Sequence, residues 1–181
     1  VISLAEVGIS NAVAPLGTAL TEGQIRELWK FSTEPIICFD GDSAGMRAAV
    51  RASDRLLPIL EPGFSARFAS LPPGEDPDDI VRRGGANKFR ELLEASTGLS
   101  DFFWETEKSN GSLDTPEKQA AFFNRIRKRV GEIKNQTVRE AYKDSIEAKI
   151  INFRATMRAV NNGTEGPYNY YSRSNSYKPI R

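Results

Sequence analysis

Residues 36–39, Ile-Ile-Cys-Phe, form a continuous apolar run that ends at the acidic, glycine-containing segment 40–45. A short run of this kind is typical of a strand buried on both faces, as in parallel sheets. Apolar residues at helical spacing follow over 46–60, and a second strand-like run follows over 66–71. A strand, a turn, a helix and another strand in this order predict crossover connections and an α/β fold with a mainly parallel sheet flanked by helices.

Further helices are predicted before and after these strands. Residues 1–7 are apolar at helical spacing, and 78–94 read as a helix interrupted at Gly84-Gly85. Thr21 is placed to cap another helix, because a threonine hydroxyl before the first turn can accept a backbone N–H. The apolar positions expected to face the core from that helix are Ile25, Leu28, Trp29 and Phe31.

The chain has no histidine and a single cysteine, Cys38. It therefore cannot form an internal disulfide, a histidine-ligated zinc site or a Ser-His-Asp triad, and catalysis must use carboxylates, Lys or Arg, hydroxyls or a metal. No apolar run approaches the roughly 20 residues that a membrane span needs, and no secretion signal is recognisable at Val1. We expect a cytoplasmic protein with no membrane contact.

Charge is distributed unevenly along the chain. Residues 1–105 carry 16 acidic and 10 basic side chains, whereas 106–160 carry 7 acidic and 12 basic ones. This division suits a cation site beside a surface that holds a polyanion. Arg125, Lys128 and Arg129 are the candidate contacts to nucleic-acid phosphates, although a basic cluster on a helix can also be an ordinary solvated face.

Acidic pairs follow both predicted strands: Asp40 and Asp42 after the first, Asp76 and Asp78 after the second. Because functional sites in parallel sheets lie at the carboxyl ends of the strands, we expect the two pairs at one edge. Paired carboxylates favour hard divalent ions such as Mg²⁺ or Mn²⁺. The alternative is helix capping, by Asp40 in the first pair and by Asp78 or Asp79 in the second.

Two other site classes fit the first acidic pair poorly. A calcium-binding loop of the EF-hand type needs an oxygen ligand at its fifth position and a glutamate at its twelfth, where this chain has Ala44 and Arg51. A phosphatase of the haloacid-dehalogenase type needs a lysine before its second acidic pair, and no suitable lysine precedes Asp76. Both classes are therefore disfavoured.

Three segments together resemble bacterial DnaG-type primases: 12–21 (AVAPLGTALT), 38–49 (CFDGDSAGMRAA) and 71–79 (LPPGEDPDD). They occur in the order and spacing of that family. The first two resemble parts of its Toprim metal-binding fold, which topoisomerases share, and the third resembles the segment with the further acidic pair of that fold. The resemblance is strong over residues 1–105 and positional over 106–160.

The resemblance implies a DNA-dependent RNA polymerase that makes short RNA primers on single-stranded DNA for replication. The implied chemistry is metal-dependent nucleotidyl transfer from NTPs, with Mg²⁺ or Mn²⁺ as cofactor. By position, Asp40 and Asp42 match the catalytic Asp-x-Asp metal ligands of the family, and Asp76 and Asp78 match its second acidic pair. The implied partners are the DNA template, NTPs and a replicative helicase.

Several parts of the family pattern are not found in this chain. These are the glutamate that opens the Toprim motif, the zinc-binding domain, the basic nucleotide-binding lobe and the carboxy-terminal domain that binds the helicase. We therefore expect part of a larger primase, inactive alone, with a Toprim region over 1–105, a helical subdomain over 106–160 and a flexible linker over 161–181. The Toprim domain of a topoisomerase-like protein and a non-catalytic interaction module remain alternatives.

Overall fold

The computed structural model describes residues 1–15 and 19–161, and within them the chain forms a small sheet, flanking helices and a helical segment. The elements in chain order are α1 (Ile2–Glu6), α2 (Glu22–Trp29), β1 (Ile36–Phe39), α3 (Ser43–Leu56), a 3₁₀ turn (Leu57–Ile59), β2 (Arg67–Ser70), α4 (Pro77–Glu94), β3 (Thr97–Gly98), α5 (Leu99–Ser109), α6 (Pro116–Gly131) and α7 (Gln136–Asn161).

The sheet has the strand order β1-β2-β3. Strands β1 and β2 are parallel, with Ile36 opposite Arg67 and Phe39 opposite Ser70, as the crossover pattern predicts. Strand β3 is antiparallel to β2, so the sheet is mixed rather than purely parallel. The two residues of β3 are too few to show an alternation of apolar and polar side chains in the sequence. The side chain of Arg67 holds the start of this segment in place by donating to the hydroxyl and the carbonyl of Ser96.

Helices cover both faces of the sheet, as the apolar run 36–39 predicts, but Ile36 at the start of β1 is 41% exposed. Ile37 and Phe39 face a core that includes residues of α2, α3, α5, α6 and α7. Cys38 faces the opposite side, where α1 and α4 contribute Leu4, Ile80 and other apolar residues. The alternation of side chains along a strand places neighbouring residues in these two separate cores.

The capping and interruption signals behave largely as the sequence predicts. Thr21 caps α2 and forms a capping box with Gln24. Helix α4 is interrupted at Gly85, whose φ of 68° and ψ of −177° are not helical. The prediction for Phe31 was wrong: α2 ends at Trp29, two residues before it, and Phe31 is 88% exposed.

The helical segment shares the core of the sheet. Phe102, Phe103 and Trp104 of α5 are buried in it. The main core runs without a break from Ile25 in α2 to Phe153 in α7. The predicted domain boundary at 105 lies inside α5, and the predicted linker lies outside the described residues from 162 onward. No helix in the described part of the chain is long and apolar enough to cross a membrane.

Candidate metal centre

The two acidic turns contact each other through their backbones. The Gly41 N–H donates to the carbonyl oxygen of Glu75 at 2.9 Å, and the Gly74 N–H donates to the carbonyl oxygen of Gly41 at 2.9 Å. One turn follows β1 and the other follows β2, so both lie at the carboxyl ends of the parallel strands. The structure therefore brings together the two loops that the sequence analysis selected.

Two glycines make this close approach possible. A Cβ atom on Gly41 would lie 1.9 Å from the carbonyl oxygen of Pro72, and one on Gly45 would lie 2.1 Å from the carbonyl oxygen of Asp40. Both distances are far below van der Waals contact. Neither glycine was predicted as a site residue, although a glycine between two aspartates at the end of a buried strand is a usable signal for close backbone packing.

Asp42 is fixed at the start of α3. It is the N-cap residue, and its Oδ1 accepts a hydrogen bond from the Gly45 N–H at 2.6 Å. Asp40 precedes it at the end of β1 and is exposed. The alternative that Asp40 caps the helix is wrong, because Asp42 has that role. One carboxylate oxygen of Asp42, Oδ1, is thus held by the helix.

Asp76 occupies the equivalent place before α4. Its side chain accepts from the Asp79 N–H at 2.9 Å, and the Asp79 side chain accepts from the Asp76 N–H at 3.3 Å. This reciprocal capping box means that Asp76 caps α4, not Asp78 or Asp79 as the alternative held. Asp78 lies in the first turn, where its Oδ2 pairs with Arg82 at 2.8 Å.

One buried carboxylate oxygen at this edge is an unsatisfied hydrogen-bond acceptor. The Oδ1 atom of Asp78 is buried and has no hydrogen-bond partner among residues 1–15 and 19–161. A buried acceptor without a partner costs about 1–3 kcal/mol, which a bound cation would relieve. The donor set consists of carboxylate oxygens, which suit Mg²⁺ or Mn²⁺. Its chemistry therefore fits a divalent ion.

The side chains do not form a closed cage by themselves. Within residues 1–15 and 19–161, no group of three or more His, Cys, Asp or Glu side chains lies in an arrangement that could hold a metal. The contact between the turns is made by the backbone, and the assignment of Asp40, Asp42, Asp76 and Asp78 as ligands stays a prediction.

Cys38 lies beside this edge but is not a nucleophile. Burial, with a smaller contribution from the negative charge of Asp40, raises the pKa of the thiol to about 11. The reactive form of cysteine is the thiolate, so Cys38 is protonated and weakly reactive at neutral pH.

The structure changes the assignment of the basic cluster. Arg129 is only 8% exposed and faces inward. Its guanidinium donates to Asp54 Oδ1 at 2.5 Å, to Ser53 Oγ at 2.9 Å and to Glu107 Oε1 at 3.2 Å. A guanidinium bonded in this way is not a surface contact for phosphates. Arg129 is therefore withdrawn from the candidate nucleic-acid interface.

The other two members of the cluster differ from each other. Arg125 is half-buried and pairs with Glu107 Oε2 at 3.0 Å. Lys128 lies on the outer face of α6 and is exposed. Lys143 of α7 is also exposed, and it lies with Arg127 at the rim of a cavity of about 220 Å³ between α6 and α7. Lys128 and Lys143 are thus better placed than Arg125 to meet an anionic partner.

Two family models match the chain. Residues 1–81 match a family described as Toprim-like, and residues 100–149 match a family described as the DnaB-helicase binding domain of primase. The second match overturns the expectation that the helicase-binding part of the family is absent from this chain. The helical subdomain predicted over 106–160 instead coincides with most of that match.

Curated relatives are DNA primases. That of Rickettsia felis is 36% identical over 142 residues, which are 78% of this chain and 24% of the relative. That of Legionella pneumophila is 43% identical over 127 residues, which are 70% of this chain and 22% of the relative. The chain therefore spans about a quarter of the length of these relatives.

Solved structures agree with the sequence matches. A DNA primase domain from Pseudomonas aeruginosa is 35% identical with a TM-score of 0.75, over 82% of this chain and 46% of that one. A structure of the DnaG catalytic core is 34% identical with a TM-score of 0.73, over 82% and 48%. A DnaG primase catalytic domain bound to single-stranded DNA is 33% identical, also with a TM-score of 0.73, over 81% and 47%. The acidic turns, the fold and these matches agree: the chain belongs to the bacterial DnaG-type primase family, in which it corresponds to the Toprim-like region and the helical segment that follows.

Proposed function

We propose that this chain supplies the metal-binding part of a primase active site, which makes RNA primers on single-stranded DNA by transferring nucleotidyl groups from NTPs. The observation that supports it most is the pair of acidic turns joined by the Gly41–Glu75 and Gly74–Gly41 hydrogen bonds at the ends of β1 and β2. The reactants of this transfer, nucleic acid and NTPs, are polyanions that the carboxylates would repel. Divalent cations between the carboxylates and the reactants remove this repulsion, so the acidic edge fits a metal-dependent reaction.

The residues of the chain have separate tasks in this proposal. Asp40, exposed at the end of β1, and Asp78, with its unpartnered Oδ1, offer oxygens to divalent cations. Asp42 and Asp76 orient the two turns by capping α3 and α4, and each keeps a second oxygen. When bound, Mg²⁺ or Mn²⁺ would lower the proton affinity of the attacking 3′-hydroxyl and neutralise charge on the triphosphate.

The helical segment is proposed to contact macromolecules. One solved relative is a catalytic domain bound to single-stranded DNA, and we propose the same kind of template for this chain. Lys128 and Lys143 are exposed cations that could contact its phosphates. The match of residues 100–149 to a helicase-binding family supports a replicative helicase as a further partner.

The metal site can be tested by isothermal titration of the 181-residue chain with Mn²⁺. We expect the double variant Asp40→Asn, Asp42→Asn to lose binding, because it removes two anionic ligands without changing side-chain size. Asp144→Asn, at an exposed position of α7, is the matched control and should bind as the wild type does. Unchanged binding in the double variant would contradict the assignment.

The catalytic role can be tested in a chimera with the Legionella pneumophila primase. The segment of the Legionella enzyme that is similar to this chain is replaced by the corresponding residues of this chain. RNA synthesis from NTPs on single-stranded DNA is then measured. We expect the chimera to be active and its Asp40→Asn, Asp42→Asn form to be inactive. A folded chimera that binds Mn²⁺ but makes no RNA would contradict the proposed role.

The 181-residue chain alone is proposed to make no detectable RNA. It corresponds to about a quarter of the length of the relatives that carry the name DNA primase. Misplacing a reacting group by about 1 Å can already cost on the order of a hundredfold in rate, so a partial site has little activity. Primer synthesis by the chain alone would show that its own residues complete the site.

A further inference from the structure

We propose that Arg129 is a positioning residue for the acidic edge of the sheet, acting through helix α3. The inference rests on the proposed metal site, because it names a residue of the helical segment that keeps this site in shape. Arg129 itself touches neither acidic turn. It holds the opposite end of the helix that begins at Asp42.

Helix α3 is a rigid connection between the acidic edge and the residues that Arg129 contacts. At its start, the Asp42 carboxylate accepts from the Gly45 N–H, and Gly45 packs directly on the carbonyl of Asp40. Toward its other end, Ser53 is fully buried and Asp54 follows it. The twelve residue-to-residue steps from Asp42 to Asp54 span about 18 Å at 1.5 Å per step.

The guanidinium of Arg129, on α6, is hydrogen-bonded to the carboxy-terminal part of α3. One terminal nitrogen donates to both Ser53 and Asp54 of α3, and the other donates to Glu107 of α5. The same group lies 5.3 Å from the centre of the Phe103 ring. A planar, rigid fork of donors fixes both distance and orientation between the helices, which a lysine with a single ammonium group would not do.

Stability alone is a weak reason for this arrangement. Replacing a buried ion pair by apolar residues of similar size is often neutral or stabilising, because charges are costly to remove from water. Precise placement is a stronger reason. A tilt of α3 by about 3° would displace its first turn by about 1 Å over the 18 Å arm, and a shift of that size matters at a catalytic site.

Arg125 provides a matched control. It also pairs with Glu107, through Oε2, and its hydrogen bonds go to the side chain and the carbonyl of this residue on α5. It keeps Glu107 partnered when Arg129 is replaced, so Arg129→Met should still fold, with the methionine packed near Phe103. Arg125→Met removes a cation of the same network and leaves the grip on α3 in place.

The experiment measures Mn²⁺ affinity of the 181-residue chain by isothermal titration. We expect Arg129→Met to weaken binding about tenfold, the lower end of the effect of removing an indirect supporting residue. Arg125→Met should bind as the wild type does. Asp54→Asn, which removes the acceptor on α3 from a half-exposed position, should weaken binding in the same direction and add little to Arg129→Met.

A second measurement needs no metal. Backbone amide chemical shifts of residues 40–46 should change in Arg129→Met and stay unchanged in Arg125→Met, because only the first variant frees α3. Unaltered shifts in folded Arg129→Met would overturn the inference whatever the metal result. If the wild type bound no Mn²⁺ while these shifts still moved, the proposed metal site would fail and the positioning role would stand. If Arg129→Met did not fold, Arg129→Lys is measured in its place, with the same expected direction.

Discussion

Replacing Gly41 by alanine should disrupt the acidic edge, because the added methyl group would collide with the neighbouring turn. The new Cβ would lie 1.9 Å from the carbonyl oxygen of Pro72 and 3.0 Å from that of Leu71. These are backbone atoms, so no side-chain rotation relieves the clash. The two turns must separate by about 1.3 Å to restore normal contact, which is a severe case of overpacking.

Separation of the turns also breaks the hydrogen bonds that join them. Overpacking costs about 1–3 kcal/mol, and the two backbone bonds at Gly41 contribute about 1 kcal/mol each. The free energy of unfolding should therefore fall by about 3–5 kcal/mol. Mn²⁺ binding should fall with it, because Asp40 and Asp42 would move away from Asp76 and Asp78.

Urea unfolding followed by tryptophan fluorescence measures the stability, and titration calorimetry measures Mn²⁺ binding. Gly131→Ala, at the end of α6, is the control: its Cβ would meet no atom within 4 Å. That variant should stay within about 1 kcal/mol of the wild type. A Gly41→Ala protein as stable as Gly131→Ala, with unchanged Mn²⁺ affinity, would refute the reasoning.

Three further predictions concern other parts of the molecule. Burial raises the pKa of the Tyr142 phenol to about 12. Because this phenol ionises at lower pH in the unfolded chain, the free energy of unfolding should fall by on the order of 2 kcal/mol as the pH rises from about 10 to 12. Urea titrations at both pH values should show that Tyr142→Phe lacks this fall. Phe103→Ala, at a fully buried position, should cost about 3–5 kcal/mol in a single urea transition that far-UV circular dichroism and fluorescence report alike; separate transitions would contradict a shared core. Replacing Lys128 and Lys143 together by alanine should weaken single-stranded DNA binding and reduce its salt dependence, and an unaltered slope would make both lysines ordinary solvated side chains.

The elements that the sequence predicts well depend on neighbouring residues. The run 36–39 coincides with β1, and Thr21 caps α2 as its hydroxyl and the following residues indicate. The glycine pair at 84–85 interrupts α4 at Gly85. In each case the physical cause lies within a few residues of its effect, so the pattern contains it.

The features that the sequence did not predict depend on distant residues. The partners of Arg129 on α3 are 75 and 76 positions away, so a basic run on α6 gives no sign that one of its members faces inward. The clash that makes Gly41 necessary comes from Pro72 on the neighbouring turn. Only three-dimensional packing determines these outcomes.

The core that runs from Ile25 to Phe153 can be completed only after most of the described chain has been synthesised. During translation the strands emerge early, but the aromatic residues of α6 and α7 that complete the core follow much later. At about 5–20 residues per second, the roughly 85 residues between Phe68 and Phe153 take several seconds to appear. For that interval the nascent chain carries an incomplete core, and we expect chaperones that hold apolar segments at the ribosome to bind it there.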